Sequence, residues 1–212
     1  MGKKYFFIAI GILAIPVAIF FVLNQAKQNY KSLPIFGERY LSDKNDTIYY
    51  QVPHFSVTDQ TGATVNSQNL SNNIVVASFF FATCTDVCPT MNRRLQSVYD
   101  KVKQFEEVKF FSFSVDPKND TTEALLEYSK KYNANPQNWL FCRTENNEQV
   151  VKIGQGFLLP VSIEDETIDH SQQFILIDKQ RRIRGIYNSL QDSELKRLTD
   201  EIKVLLYEYY KN

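Results

Sequence analysis

Cysteine, histidine, glycine and proline are all scarce in this chain, and each scarcity removes a class of protein. Three cysteines among 212 residues are too few for a disulfide-built scaffold, and their odd number allows at most one internal bridge with a thiol left over. Seven glycines and seven prolines exclude collagen-like and low-complexity chains. A surplus of either charge is missing too, since 24 Lys and Arg balance 24 Asp and Glu. Phosphate contacts need a basic surplus, so no nucleic-acid partner is expected. The 43% of hydrophobic residues suits a globular protein and is too much for a disordered one.

What is present begins with a long apolar run. Tyr5 to Leu23 reads YFFIAIGILAIPVAIFFVL without a single charge. As a helix rising about 1.5 Å per residue it spans roughly 28 Å, close to a bilayer core. Lys3 and Lys4 precede it, which keeps the short N-terminus in the cytoplasm and the rest of the chain outside. A cleaved signal peptide is the competing reading. Its apolar region is normally shorter, about 7–15 residues, and ends at an A-x-A-like site that Asn24-Gln25-Ala26 matches poorly. Residues 1–23 therefore read as a single-pass transmembrane anchor, in which Pro16 is tolerable. Residues 24–51 read as a tether and entry segment, and residues 52–212 as one domain. So few residues precede the span that a mitochondrial transit peptide has no room, and a bacterial inner membrane with the domain on its periplasmic side is expected.

From Val52 the pattern is regular. Phe55 to Asp59, followed by Gln60-Thr61-Gly62, reads as a strand and turn. Ile74 to Phe81 is a continuous apolar run, as expected of a strand covered on both faces. Helical spacing runs from Pro89 to Val108, and Val108 to Val115 is again strand-like. Thr121 or Thr122 caps a helix to Tyr132, Trp139 to Cys142 is a short strand, and Asn146 to Phe157 a helix. Phe174 to Asp178 and Ile183 to Ser189 flank a turn at Lys179-Gln180, and Ser193 opens a final amphipathic helix. This alternation with a late hairpin predicts an α/β fold, a mixed sheet flanked by helices.

The chemistry gathers after the Ile74–Phe81 strand, in Cys84-Thr85-Asp86-Val87-Cys88-Pro89. A strand end facing a helix start is where open α/β sheets place their sites. Pro89 suits the first helical position and Asp86 the cap before it. A helix N-terminus favours thiolate over thiol, and four-residue spacing brings two sulfurs within reach of each other. Such a pair can close a disulfide or offer two soft ligands to Cu(I), zinc or an iron–sulfur centre. A third ligand must come from elsewhere. His170, in a loop leading into the Phe174–Asp178 strand, can reach the same sheet end, and His54 is the weaker candidate. Cys142, inside a strand, reads as an inert core thiol.

Taken together, Phe55-to-Gly62 (FSVTDQTG), Phe79-to-Pro89 (FFFATCTDVCP), Ser114-Val115-Asp116-Pro117 and Asp169-His170-Ser171 before Phe174-to-Asp178 resemble the SCO1/SenC family. These are membrane-tethered copper proteins with a thioredoxin-like fold that assist cytochrome c oxidase assembly. The resemblance implies that Cys84, Cys88 and His170 hold copper and that Asp116 stands close behind them. It implies a copper-receiving oxidase subunit, a copper donor and a thiol reductant as partners. The alternative it leaves open is an enzyme, a thiol–disulfide oxidoreductase working through Cys84 and Cys88. Thr85, where many members carry Pro, and the additional Cys142 depart from the common pattern.

Overall fold

The structure, a computed structural model, describes residues 2, 12, 14–21, 32–160, 163–164, 167–168 and 172–210. The chain divides into two compact units, Met1–Ser32 and Leu33–Asn212. In the first, residues 12 and 14–21 of the expected anchor are helical and exposed. Among the described residues no helix is long and apolar enough to cross a membrane.

The second unit runs β1 (Arg39–Leu41), β2 (Thr47–Tyr49), β3 (Ser56–Asp59), β4 (Thr64–Asn66), β5 (Ile74–Phe80), α1 (Val87–Val102), β6 (Val108–Ser114) and α2 (Thr122–Lys130). It continues through β7 (Trp139–Arg143), α3 (Asn147–Gly156), β8 (Ile163–Glu164), β9 (Thr167–Ile168), β10 (Gln173–Ile177), β11 (Ile183–Asn188) and α4 (Asp192–Tyr210). Seven strands form one sheet in the order β11-β10-β5-β6-β7-β3-β4. β5, β6 and β7 are parallel, while β10, β11, β3 and β4 are antiparallel to their neighbours. The expected mixed sheet flanked by helices is therefore present.

The period-2 alternation of strand side chains divides the core in two. Ile74, Val76 and Phe80 of β5 face α1, α2 and α4, packing with Leu95, Leu125, Trp139 and, on the last helix, Ile202. Val75, Ala77 and Phe79 face the other way, toward Phe113, Cys142, Val150 and Phe157 beside α3. All seven residues of β5 are buried, which is why its sequence shows an unbroken apolar run rather than alternation. Polar groups on the α1 face are paired: Ser78 Oγ lies 2.9 Å from Ser112 Oγ, which also accepts Trp139 Nε1–H at 3.0 Å.

The strand and turn expected at Phe55–Gly62 close into a hairpin with β4, a strand the sequence did not announce. Its turn is held by Asp59, whose Oδ1 accepts the N–H groups of Thr61 and Ala63, and Gly62 supplies the positive φ of +86°. The segment expected as a plain entry contains the β1–β2 ribbon, Tyr40 opposite Ile48, outside the main sheet.

At the end of the sheet where β10 turns into β11, Arg184 gathers the chain. Its side chain, 2% exposed, pairs with Asp178 at 3.0 Å and Glu208 at 3.1 Å, and donates to the carbonyls of Leu33 and Pro34 at 2.8 and 3.0 Å. Removing the buried guanidinium takes one partner from Asp178, which keeps Arg182 at 2.7 Å, and leaves Glu208 and the Leu33 and Pro34 carbonyls without this donor. Arg184→Ala is expected to cost about 3–5 kcal/mol. Arg94→Ala, which breaks an exposed pair with Asp192, is expected to cost under about 1 kcal/mol. Urea denaturation of the two variants checks this, and equal losses contradict it.

Candidate functional site

Residues 81–86 link the end of β5 to the start of α1, and the backbone there is tied down from three sides. Val115 N–H donates to the Phe80 carbonyl at 2.8 Å, and Cys84 N–H to the Phe81 carbonyl at 3.3 Å. Ala82 N–H donates to both carboxylate oxygens of Asp120, at 3.1 and 3.2 Å.

Asp86 stands at the N-cap of α1 but makes no side-chain cap bond, contrary to the sequence expectation. The acceptor is a sulfur. Cys88 N–H donates to Cys84 Sγ at 3.4 Å, and the partial positive charge of the Asp86 and Val87 N–H groups acts on that atom in the same sense. The helix begins at Val87, two residues earlier than the sequence suggested, with Cys84 Sγ accepting from its second residue. Pro89 is then its third residue, where a missing N–H costs nothing because first-turn donors have no intrahelical acceptor.

Neither Cys84 nor Cys88 is in a disulfide, and the two residues are 9% and 0% exposed. Burial acts to raise the Cys84 pKa, yet the Cys88 N–H, the Cys88 thiol and the Asp86 and Val87 N–H groups outweigh it and hold Cys84 below the ordinary thiol range. Cys88 goes the other way. Burial pushes it up to about 12, against one N–H bond from Phe81 and with the negative charge of Cys84 and Asp120 adding to the rise. Cys84 is thus the more acidic of the two sulfurs, and Cys88 donates its proton toward it.

Asp120 is the carboxylate behind the cysteine loop that sequence reasoning missed. It is fully buried, accepts Ser114 Oγ–H at 2.5 Å as well as Ala82 N–H, and burial raises its pKa. Asp116, expected behind the site, directs its carboxylate to Asn119, accepting Nδ2–H at 2.8 Å, while its charge adds to the rise at Asp120. The available signal was a second carboxylate four residues on, immediately before the Thr121 cap of α2. Tyr128 completes a dry floor: it stacks on Phe80 with centroids 5.1 Å apart, and its oxygen accepts from Asn92 Nδ2 at 3.0 Å and Tyr132 OH at 3.3 Å.

His170 lies outside the described residues, as do Asp169 and Ser171. The topology does fix where the chain resumes. Ile175 pairs with Ala77 and β10 runs antiparallel to β5, so Gln173 lies toward the end of β5 from which the cysteine loop departs. Among the described residues, no group of three or more His, Cys, Asp or Glu side chains is placed to hold a metal. The other candidates are elsewhere. His54 lies by β3, three strands from β5 or about 14 Å at ordinary strand spacing. Its Nδ1 is 2.9 Å from Ser67 Oγ, and with Phe55, Lys152 and Phe157 it lines a cavity of 520 Å³. Cys142 is fully buried on the sheet face opposite the pair, with its pKa raised by burial and then by Asp59.

A mixed sheet with a thiol pair between a central parallel strand and the following helix defines a thioredoxin-like domain. The SCO1/SenC family profile matches residues 44–206, and the chain belongs to that family. It is 26% identical over 163 residues to a SCO1 protein homolog of Bacillus subtilis, covering 74% of this chain and 84% of that one. A SCO1/SenC family lipoprotein of Bacillus anthracis superposes with a TM-score of 0.68 at 26% identity, over 74% of this chain and 95% of that one. Arabidopsis thaliana ScoI with copper bound superposes with a TM-score of 0.61 at 24% identity, over 73% and 98%.

The unequal thiols give a direct test. Iodoacetamide at neutral pH is expected to modify Cys84 well ahead of Cys88 and Cys142. The Cys84 rate should rise with pH as thiolate forms and level off below the ~8.5 midpoint of an ordinary thiol. Peptide mass spectrometry checks both, and equal labelling of the three sulfurs contradicts the assignment.

Proposed function

We propose that this protein is a membrane-anchored copper metallochaperone that delivers copper to the CuA centre of cytochrome c oxidase during its assembly. The observation that carries the reading is the adjacency of two reduced, unequal thiols at the start of α1 in a chain of the SCO1/SenC family. Copper bound to Arabidopsis ScoI, on the same fold, supports copper as the metal. In this reading copper is cargo, held by Cys84 and Cys88 with His170 as the third ligand. Two soft thiolates suit Cu(I) in particular. Asp120 and Asp116 order the loop from behind rather than touching the metal. Transfer to the receiving oxidase subunit proceeds by ligand exchange. A copper donor must load the site, and a thiol reductant must first open any Cys84–Cys88 disulfide, because an oxidised pair has no thiolate to offer. Residues 1–23 serve as anchor in a bacterial inner membrane and residues 24–51 as tether. Residues 52–212 form the working domain on the periplasmic side.

The split between the two thiols favours a second reading, a thiol–disulfide oxidoreductase acting on cysteines of the oxidase subunit or another partner. The Cys84 thiolate attacks the partner disulfide, forming a mixed disulfide and releasing one partner thiolate. Cys88 then loses its proton and attacks Cys84, closing the internal disulfide and freeing the second partner thiolate. The three-residue separation of the cysteines and the family favour copper.

Copper titration of the reduced chain in detergent separates the two. Cys84→Ser, Cys88→Ser and His170→Ala are each expected to weaken binding by at least about a hundredfold, and Asp120→Asn by about tenfold. Binding displaces thiol protons, so affinity falls with falling pH. The slope is about tenfold per pH unit while Cys84 is ionised and Cys88 is not, and about a hundredfold once both are protonated. Copper affinity unaffected by the two cysteine substitutions, alongside rapid disulfide reduction by metal-free protein, reverses the ranking.

A further inference from the structure

Of the four apolar side chains on the β1–β2 ribbon, Tyr49 is half-buried under the Arg182 guanidinium and the other three are uncovered. Tyr40 is 63% exposed, Leu41 66% and Ile48 40%. Tyr40 and Ile48 are cross-strand partners and share one face, whereas Leu41, opposite Thr47, belongs to the other. A two-stranded ribbon is marginal in water by itself. A flat protein surface covers one face of such a ribbon and leaves the second wet.

The inner end of the ribbon is firmly held. Gly37, at φ +97°, lets the backbone pass Tyr50 where any Cβ would come within 2.5 Å of the Tyr50 Cβ. Tyr50 N–H donates to the Glu38 carbonyl and Phe36 N–H to the Ile183 carbonyl, beside the Arg184 clamp on Leu33 and Pro34. The outer end, Ser42 to Asp46, is polar, and Arg39 and Lys44 balance Asp43 and Asp46. The uncharged run of the sequence ends at Leu23. The roughly ten residues from there to the clamp at Leu33 reach at most about 35 Å when fully extended.

We propose that the ribbon is a lipid contact, resting at headgroup level on the bilayer that holds the anchor. The proposal depends on residues 1–23 being a membrane anchor. The occupant is the bilayer interface for three reasons. An interface meets both faces of a thin ribbon, tyrosine partitions to that depth, and the connection is short enough for the ribbon to reach the membrane. The carboxylates at the tip hold it out of the hydrocarbon. Because the ribbon's charges cancel, binding needs no anionic lipid and should not respond to salt.

The test uses the full chain in phosphatidylcholine vesicles, with tryptophan placed at Tyr40 or Ile48 and, as control, at Leu126, which is 38% exposed on α2. The native Trp139 is fully buried and gives a constant background. Tyr40→Trp and Ile48→Trp emission is expected to shift to the blue and lose about half its intensity to a lipid spin-labelled near the headgroup, less to one labelled at the chain end. Leu126→Trp should be unaffected. The proposal is overturned if the ribbon tryptophans are quenched no more than the control while the chain still floats with the vesicles. Failure to float with vesicles overturns the anchor reading, and the proposal with it. A blue shift that follows protein concentration in detergent, without quenching by labelled lipid, makes the ribbon a contact between copies and also overturns it.

Discussion

The start of α1 needs an acceptor for its first N–H groups, and the Cys88 N–H finds one in Cys84 Sγ while the carboxylate of Asp86 makes no cap bond. A neutral thiol accepts hydrogen bonds weakly and a thiolate strongly, so the N–H groups at the helix start also lower the pKa of the sulfur. Cys88 reinforces this from inside the same turn, by donating its own proton toward Cys84. Because Cys88 is sealed from water, its negative form is disfavoured until something other than solvent compensates the charge. A soft cation does so, and so does a bond to a second sulfur. Metal binding and disulfide chemistry therefore draw on one arrangement, distinguished by what approaches it.

The sheet places that arrangement. Parallel β5 and β6 finish level with each other, so the cysteine loop and the Asp116–Asp120 turn are neighbours, and antiparallel β10 begins at the same end. Asp120 joins two of these loops with one buried carboxylate. The opposite end carries the Arg184 ion pairs, about 20 Å away along β5. Alternation across the strands puts Cys142 on the far face of the sheet, so the third thiol cannot exchange with the working pair without opening the core.

Long elements with one clear period were legible in the sequence. The apolar run of β5, the α4 stripe and the β10–β11 hairpin fall within a few residues of expectation. The reactive pair was legible because its residue types are rare and closely spaced. The start of α1 was not, since no sequence rule offers a cysteine as a helix cap where Asp86 is available. Asp120 was obscured by Asp116, whose place beside Pro117 in a recognisable turn drew attention that burial alone could redirect. The β1–β2 ribbon was missed because Tyr40-Leu41 and Ile48-Tyr49 are short and three of these four residues are exposed, so no buried face gives them a period. His170 remains a reading of sequence and resemblance, supported by where β10 begins.

The central claim is that copper is held by the sulfurs that organise the start of α1. X-ray absorption at the copper edge of the loaded, reduced chain tests it most directly. The account predicts two sulfur neighbours and one nitrogen in wild type, with a single sulfur remaining in Cys84→Ser and no nitrogen in His170→Ala. A wild-type spectrum with only oxygen and nitrogen neighbours contradicts it.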